Sequence, residues 1–184
     1  MRPKTQFYIL GLVTFLIFPL PAVWALNYFA DINLLSLLSF QELTHYNWFL
    51  GIFYGLFYAL LVIAFSESGV MEEDVNAQRY LNALKLNFID ITLMSFFAGF
   101  GEEILFRAGI QHWLGPWITT IIFIAVHGYL NPTKWRIFIY GIFIFPFILS
   151  LAFAYEDLGL WFCIAAHFSF DFLIFWVYGL YKRQ

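Results

Sequence analysis

Long apolar runs separated by short polar connections organise the 184-residue chain. The runs occupy residues 7–26, 48–65, 86–114, 117–130, 137–155 and 160–181. A membrane-spanning helix needs about 20 apolar residues, so the fourth run is short and we expect it to extend into its flanks. The pattern predicts an all-α, polytopic membrane helix bundle with about six transmembrane helices, forming one integral membrane domain over residues 1–184.

Details of the pattern refine this prediction. The first run follows Arg2 and Lys4, but it is longer than the apolar part of a signal peptide, so we expect an uncleaved span. Pro146 lies inside the fifth run and predicts a kink there. The connections at residues 34–40 and 71–84 have the amphipathic character of short interfacial helices.

Composition agrees with the lipid environment. Hydrophobic residues make up 62% of the chain and charged residues only 11%, which excludes an ordinary soluble domain. The net charge is -3 and no basic run is present, so the expected partners include the lipid bilayer and no nucleic acid. Cys163 is the only cysteine, which excludes an intrachain disulfide and a multi-cysteine metal site.

The positions of the basic residues predict the orientation, because cytoplasmic connections collect Lys and Arg. Eight of the nine basic residues flank the runs on alternate sides of the predicted bundle: Arg2, Lys4, Arg79, Lys85, Lys134, Arg136, Lys182 and Arg183. The other connections carry acidic residues instead: Asp31, Glu42, Glu156 and Asp157. We therefore expect both termini in the cytoplasm of a multi-pass protein of the cell membrane.

A few ionisable residues remain inside the apolar runs, and they are the candidates for function because a polar group in hydrocarbon is costly unless it is paired or used. They fall in three runs: Glu102, Glu103 and Arg107 in the third, His127 in the fourth, and His167 and Asp171 in the sixth. His45 and His112 are expected at the membrane interface, as is Asp90. A buried cysteine is usually a small hydrophobe, which is the role expected for Cys163.

Helical geometry distinguishes the two glutamates. Glu103 and Arg107 are four residues apart, about 40° around a helix, so they can form an ion pair that holds the helix. Glu102 lies about 140° from Arg107 and must face another part of the bundle. Glu102 is therefore the catalytic candidate, and Glu103 and Arg107 are candidates for structural support.

The three runs together contain two carboxylates and two imidazoles, which are the groups that hydrolysis by an activated water molecule requires. Glu102, His127, His167 and Asp171 could deprotonate a water molecule and stabilise an oxyanion. The same four residues are also a set of zinc ligands. Small residues precede each cluster, among them Gly99, Gly101, Ala125, Ala165 and Ala166, and they allow helices to approach closely.

Three motifs in this region resemble those of the CPBP intramembrane proteases, which include type II CAAX prenyl proteases and bacteriocin-processing or immunity (Abi) proteins. The EExxxR motif of that family matches Glu102 to Arg107, FxxxH matches Phe123 to His127, and HxxxN/D matches His167 to Asp171. The resemblance covers roughly Ala98 to Asp171, within a catalytic core at about 86–181. The first two runs resemble nothing that we can assign.

The resemblance implies roles for these residues. Glu102 would activate the water, His127 and His167 would position it or stabilise the oxyanion, and Glu103 with Arg107 would hold the helix. Prenyl proteases of this type carry Asn at the position of Asp171, and an ionised Asp cannot donate as an amide does. Asp171 would instead be protonated, orient His167 or bind a metal. A glutamic mechanism without a cofactor is favoured, and a zinc-dependent one stays open.

The sequence thus predicts an intramembrane endopeptidase that acts on a membrane-embedded or membrane-tethered peptide. Its substrate would be a C-terminal sorting segment, a leader segment or a CAAX-type tail. One alternative is a transporter or proton-relay protein, which also buries Glu, His and Asp. The absence of a repeated pair of interrupted helices argues against it. Another alternative is a non-catalytic immunity or scaffold protein with the same fold.

Overall fold

The structure, a computed structural model, describes residues 2–40, 43, 46–68 and 75–183, and within these ranges it contains helices and no strand. Glu42, His45 and the connection at 71–74 lie outside the described residues. The helices follow in this order: α1 Pro3–Leu16, α2 Pro19–Ala30, α3 Leu34–Leu38, α4 Asn47–Glu67, α5 Val75–Leu84, α6 Phe88–Glu103, a π-helical segment Ile104–Ile110, α7 Gln111–Val126, α8 Trp135–Phe175, and a second π segment Trp176–Leu180. The prediction of an all-α protein is confirmed.

Three helical stretches within the described ranges are long and apolar enough to cross a membrane: Pro3–Ala30, Asn47–Glu67 and Trp135–Leu180. The first two correspond to the first two apolar runs, and the third contains the fifth and sixth runs. Helices α6 and α7 have 16 residues each and are joined by the π segment that carries Arg107. The protein is therefore a helical membrane protein, whereas the count of six spans stays a prediction.

Two glycines interrupt the long helices where the apolar runs meet. Gly115 has φ 72° and ψ 174° inside α7, and Gly159 has φ 81° and ψ 175° inside α8. Residues with a Cβ rarely adopt these angles, so glycine permits the change of direction between consecutive runs. At Pro146, where the sequence predicts a kink, the backbone angles stay helical. The Tyr58 hydroxyl donates to the Phe143 carbonyl, next to the carbonyl that the proline leaves unbonded.

Helix α4 packs closely against the second half of α8 through a row of small residues at Gly51, Gly55 and Ala59. A Cβ added at Gly55 would lie 2.0 Å from the carbonyl oxygen of Ala166. The Ser169 hydroxyl donates to the Ile52 carbonyl across this contact, at 3.0 Å. Such small-residue contacts let backbones approach, and this one fixes the register of α8 on either side of His167.

Helix α6 lies between α1 and α8, and glycines bring it close to both. A Cβ at Gly101 would lie 2.0 Å from the carbonyl oxygen of Thr14 on α1. A Cβ at Gly99 would lie 3.0 Å from the carbonyl oxygen of Ile164 on α8. Since these glycines directly precede Glu102 and Glu103, the close packing holds both glutamates against the neighbouring helices.

Asp90 joins the beginning of α6 to α1. It forms a capping box with Asn87, in which the Asp90 backbone N–H donates to the Asn87 side chain at 3.0 Å and the Asn87 backbone N–H donates to Asp90 at 2.8 Å. Asp90 also forms an ion pair with Lys4 and accepts a hydrogen bond from the Tyr8 hydroxyl. Only 3% of Asp90 is exposed, so its carboxylate is buried between α1 and α6, and its expected place at the membrane interface stays a prediction.

The structure also contains helices in the two connections expected at the interface. Helix α3 begins after Asn33, whose side chain accepts from the backbone N–H of Ser36 at 2.9 Å. Helix α5 occupies the described part of the second connection. These positions agree with short amphipathic helices beside the bundle.

Candidate active site

Glu103 and Arg107 form the ion pair that their spacing predicts. The Arg107 Nε donates to Glu103 Oε2 at 2.9 Å, and both side chains are fully buried. Arg107 Nη1 lies 3.4 Å from the Gln111 side-chain oxygen, and Gln111 in turn donates to the Ala152 carbonyl on α8 at 2.7 Å. Gln111 was not singled out from the sequence, although its place one turn after Arg107 in an apolar run was a usable signal.

The π segment begins directly after the two glutamates and contains Arg107. A π-helix forms its hydrogen bonds five residues apart, and such turns are often found at functional sites. Here the wider turn links the helix that carries Glu102 and Glu103 to the helix that ends at His127. The segment therefore sets the relative rotation of α6 and α7.

His167 is held by Glu103 from the adjacent helix. The imidazole Nδ1 lies 2.7 Å from Glu103 Oε1, with 7% of the His167 side chain exposed. Since Glu103 is paired with Arg107 and accepts, Nδ1 carries the proton and donates. The other ring nitrogen, Nε2, lies 3.6 Å from Asp171 Oδ2. The i, i+4 approach of His167 and Asp171 is thus present, while the bond to Glu103 was not foreseen.

Glu102 points away from the buried pair, as its helical position predicts. Its Oε2 lies 3.4 Å from His127 Nε2. That oxygen is buried and has no hydrogen-bond partner among the described residues. A buried carboxylate oxygen without a donor is costly, so this atom is available to a proton-bearing group that enters the site.

His127 ends helix α7. Its Nδ1 lies 2.7 Å from the Phe123 carbonyl oxygen, and its ring stacks on the Phe123 ring with centroids 4.2 Å apart. A carbonyl oxygen only accepts, so Nδ1 carries the proton and Nε2 is directed to Glu102. The first and last residues of the FxxxH motif are therefore in direct contact.

The chain reverses direction immediately after His127 in a Schellman motif. Gly128 has φ 75°, its backbone N–H donates to the Ala125 carbonyl at 3.0 Å, and the Tyr129 N–H donates to the Ile124 carbonyl at 3.1 Å. The turn brings the Tyr129 ring beside the His127 ring, with centroids 5.6 Å apart and an interplanar angle of 18°. Tyr129 was not identified from the sequence.

All four candidate catalytic residues line one cavity of about 250 Å³. Helix α1 also contributes to its wall through Phe7, Leu10, Gly11 and Thr14, although the sequence of this helix gave no indication of a place at the site. The remaining wall is largely apolar and includes Met94, Phe147 and Phe175. The structure therefore brings together Glu102, His127, His167 and Asp171 in one cavity whose remaining wall is largely apolar.

The other polar candidates lie elsewhere. His112 is exposed on α7 and packs edge-on against Trp113 with centroids 4.8 Å apart. Cys163 is fully buried, and its thiol lies 3.4 Å from the Leu151 carbonyl oxygen. Both positions agree with the expected interfacial and packing roles.

We tested whether the acidic and imidazole groups form a metal-binding set. Among the described residues, no group of three or more His, Cys, Asp or Glu side chains is arranged to hold a metal ion. The four cavity residues are of the types that bind zinc, so whether the protein uses a metal ion stays a prediction. The chemistry derived below uses only side chains and water.

Comparison with known protein families gives a match to part of the chain. Residues 84–173 match the model of a family described as "Type II CAAX prenyl endopeptidase Rce1-like". No curated protein and no solved structure matches the chain. The matched segment contains all six of the residues singled out as catalytic or supporting, and it excludes α1 and α4.

Proposed function

Because residues 84–173 match the model of the Rce1-like type II CAAX prenyl endopeptidases, we propose that the chain is an intramembrane endopeptidase in which Glu102 activates water. The observation that carries this proposal is the Glu102 oxygen that has no hydrogen-bond partner and borders a cavity together with His127, His167 and Asp171. A carboxylate in that position can take a proton from a water molecule in the cavity, as a general base does.

The reaction follows from this arrangement. Glu102 takes a proton from a water molecule while the water oxygen attacks the peptide carbonyl carbon, and the carbonyl electron pair moves to the carbonyl oxygen. His127, 3.4 Å from Glu102, accepts a hydrogen bond from the same water through Nε2 and so positions it. When the carbonyl reforms, the C–N bond breaks and the proton on Glu102 passes to the leaving nitrogen.

Glu103 and Arg107 support this chemistry indirectly. They fix the position of the His167 ring, because Glu103 accepts hydrogen bonds from both the Arg107 guanidinium and the His167 ring. Asp171 places a second carboxylate near the other ring nitrogen of His167, with its Oδ2 3.6 Å from His167 Nε2. We assign Asp171 to orientation of the His167 ring, and His167 to the wall against which the substrate binds, with no metal ion required.

The substrate is a peptide segment that reaches the cavity from within or beside the membrane. The apolar wall formed by Leu10, Met94 and Phe175 suits an apolar or lipid-bearing segment. We propose a C-terminal sorting segment, a leader segment or a CAAX-type tail, cleaved at the cell membrane by a protein with both termini in the cytoplasm. The apolar helices and the match of residues 84–173 to the family model support a membrane-embedded partner.

The test compares two isosteric substitutions in the purified protein reconstituted in liposomes. The probes are a farnesylated peptide ending in Cys-aliphatic-aliphatic-X, its unprenylated form, and a peptide with a single C-terminal apolar helix, with products identified by mass spectrometry. Glu102→Gln should abolish cleavage, whereas Glu156→Gln, at an exposed position on α8, should leave it unchanged.

Two results would contradict the proposal. Full cleavage by the Glu102→Gln variant would show that Glu102 is not the general base. Absence of cleavage of every probe, together with an ion flux that Glu102→Gln abolishes, would instead support the transporter alternative.

A further inference from the structure

The proposed reaction places a negative charge on the substrate carbonyl oxygen. The four candidate catalytic residues in the cavity provide few hydrogen-bond donors that could stabilise this charge. The Nδ1 hydrogen of His127 is bonded to the Phe123 carbonyl, and that of His167 to Glu103. The Nε2 atom of His127 faces Glu102 at 3.4 Å and that of His167 faces Asp171 at 3.6 Å, so neither ring nitrogen is directed to a substrate oxygen, and a carboxylate oxygen only accepts. Stabilisation of an oxyanion by a donor is usually a large part of catalysis, so a donor from another residue is needed.

Tyr129 has a hydroxyl group that meets this need. It lines the same cavity as Glu102 and Asp171, and its ring stacks on His127. Within the described part of the chain, its hydroxyl group has no hydrogen-bond partner, so the O–H is available to a ligand in the cavity. A phenol is a strong donor that stays protonated over the physiological range in model compounds.

The surrounding structure fixes the Tyr129 ring. The Schellman turn at Gly128 sets its backbone directly after His127. On the other side, Tyr140 packs edge-on against it, with centroids 5.3 Å apart and an interplanar angle of 68°. Gly141 gives it room, since a Cβ there would lie 2.7 Å from the Tyr129 Cβ. A ring held on three sides is preorganised, as donors to a transition state must be.

We propose that Tyr129 is a catalytic residue whose hydroxyl donates a hydrogen bond to the oxyanion of the tetrahedral intermediate. This inference rests on the proposed endopeptidase function. The bond forms as the carbonyl electron pair moves to oxygen and weakens when the carbonyl reforms, and the phenolic proton stays on Tyr129 throughout. The hydroxyl supplies the donor that Asp171, in place of an amide, does not.

The experiment measures kcat and KM of Tyr129→Phe with the probe that the wild-type protein cleaves best. This substitution removes only the hydroxyl and keeps the ring that stacks on His127. Loss of one oxyanion donor lowers kcat by about 10²-fold or more, so we expect a fall of about that size with KM and melting temperature unchanged.

Tyr58→Phe is the matched control. The Tyr58 hydroxyl donates to the Phe143 carbonyl at 2.8 Å, and Tyr58 is not among the residues that line the cavity. We expect it to lower the melting temperature and to leave kcat unchanged, which is the opposite of the result for Tyr129→Phe. Tyr140→Phe tests the neighbouring phenol, and its kcat should fall much less than that of Tyr129→Phe.

The outcomes separate this inference from the function on which it rests. A kcat within threefold of wild type for Tyr129→Phe, while Glu102→Gln is inactive, would overturn the role of Tyr129 and leave the endopeptidase intact. An increase in KM alone would show that the hydroxyl binds substrate rather than the oxyanion, and would also overturn it. If the wild-type protein cleaves no probe, the proposed function is contradicted, and so is the role of Tyr129 that rests on it.

Discussion

At the scale of single residues, Glu102 and Glu103 are neighbours in sequence with opposite surroundings. Glu103 is fully buried and bonded to Arg107 and His167. Glu102 borders the cavity, and one of its oxygens has no hydrogen-bond partner within the described ranges. Glu103 therefore has a structural role, whereas Glu102 is proposed as the general base. We expect substitutions at the two positions to have different effects.

Removing the charge of Glu103 should destabilise the fold. Glu103→Gln leaves Arg107 buried without its counter-charge, and breaking a buried ion pair costs about 3 to 5 kcal/mol. Thermal unfolding in detergent can be followed with a thiol-reactive dye, because Cys163 is fully buried in the folded protein. Glu102→Gln is the control and should unfold at the wild-type temperature. Equal destabilisation by the two substitutions would remove the basis for assigning different roles to them.

Asp171 distinguishes the glutamic mechanism from the zinc-dependent one. If Asp171 orients groups by hydrogen bonding, Asp171→Asn keeps a polar side chain of the same shape, and activity should stay within about tenfold of wild type, or about 1.4 kcal/mol in activation free energy. Chelators should have little effect. Activity measurements and metal analysis of the purified protein check both points. Stoichiometric zinc, with an inactive Asp171→Asn that excess zinc restores, would establish the metal mechanism instead.

At the scale of helices, the site depends on glycines that bring backbones together. Gly55 sets α4 against α8 beside Ala166, and Gly99 and Gly101 set α6 against α8 and α1. These contacts position α6, which carries Glu102, and α8, which carries His167 and Asp171. A methyl group at such a contact would change distances at the site without touching any catalytic side chain.

Gly55→Ala tests this dependence. The new Cβ would lie 2.0 Å from a backbone oxygen that cannot move alone, so we expect a loss of stability of about 1 to 3 kcal/mol or more, together with reduced activity. Gly179→Ala is the control, because its Cβ would meet only the end of the Leu86 side chain, at 3.1 Å. Similar melting temperatures for both variants would contradict the importance of the α4–α8 contact.

The helices themselves could be foreseen better than their contacts. The apolar runs predict the long helices, and the positive-φ glycines Gly115 and Gly159 lie where consecutive runs meet. The i, i+4 spacing predicts the pair of Glu103 with Arg107 because both lie on one helix. The bond from Glu103 to His167 joins residues 64 positions apart, and helical periodicity carries no information on which helices are neighbours. For the same reason the contact of Asp90 with α1 was not foreseen, and neither was the place of α1 and of Tyr129 at the cavity.

At the scale of the whole molecule, the distribution of basic residues makes a prediction about orientation. The Lys and Arg flanks predict that both termini face the cytoplasm and that the connection containing Asp157 faces outward. In a Cys163→Ala background, Asp157→Cys should react with an impermeant reagent added to intact cells. Lys182→Cys should react only after the membrane is permeabilised. The reverse labelling pattern would contradict the predicted orientation.

The cavity also involves more of the molecule than the matched family segment. Residues 84–173 contain the catalytic candidates, but Phe7, Leu10 and Gly11 of α1 form part of the same wall. Asp90, near the beginning of the matched segment, holds α1 in place through Lys4 and Tyr8. The residues that select a substrate therefore need not lie in the same part of the chain as those that act on it.

The π segment is a place where the chain can change its length without changing the face that meets the cavity. A π turn holds about one residue more than an α-helical turn, so loss of one residue within 104–110, other than Arg107, would let it close to an ordinary turn and leave α7 in nearly the same orientation. In the regular helix at 117–126 the same loss would rotate the residues beyond it by about 100°. His127 would then leave the face that meets Glu102. A single-residue deletion within 117–126 should accordingly be far more damaging than one within the π segment.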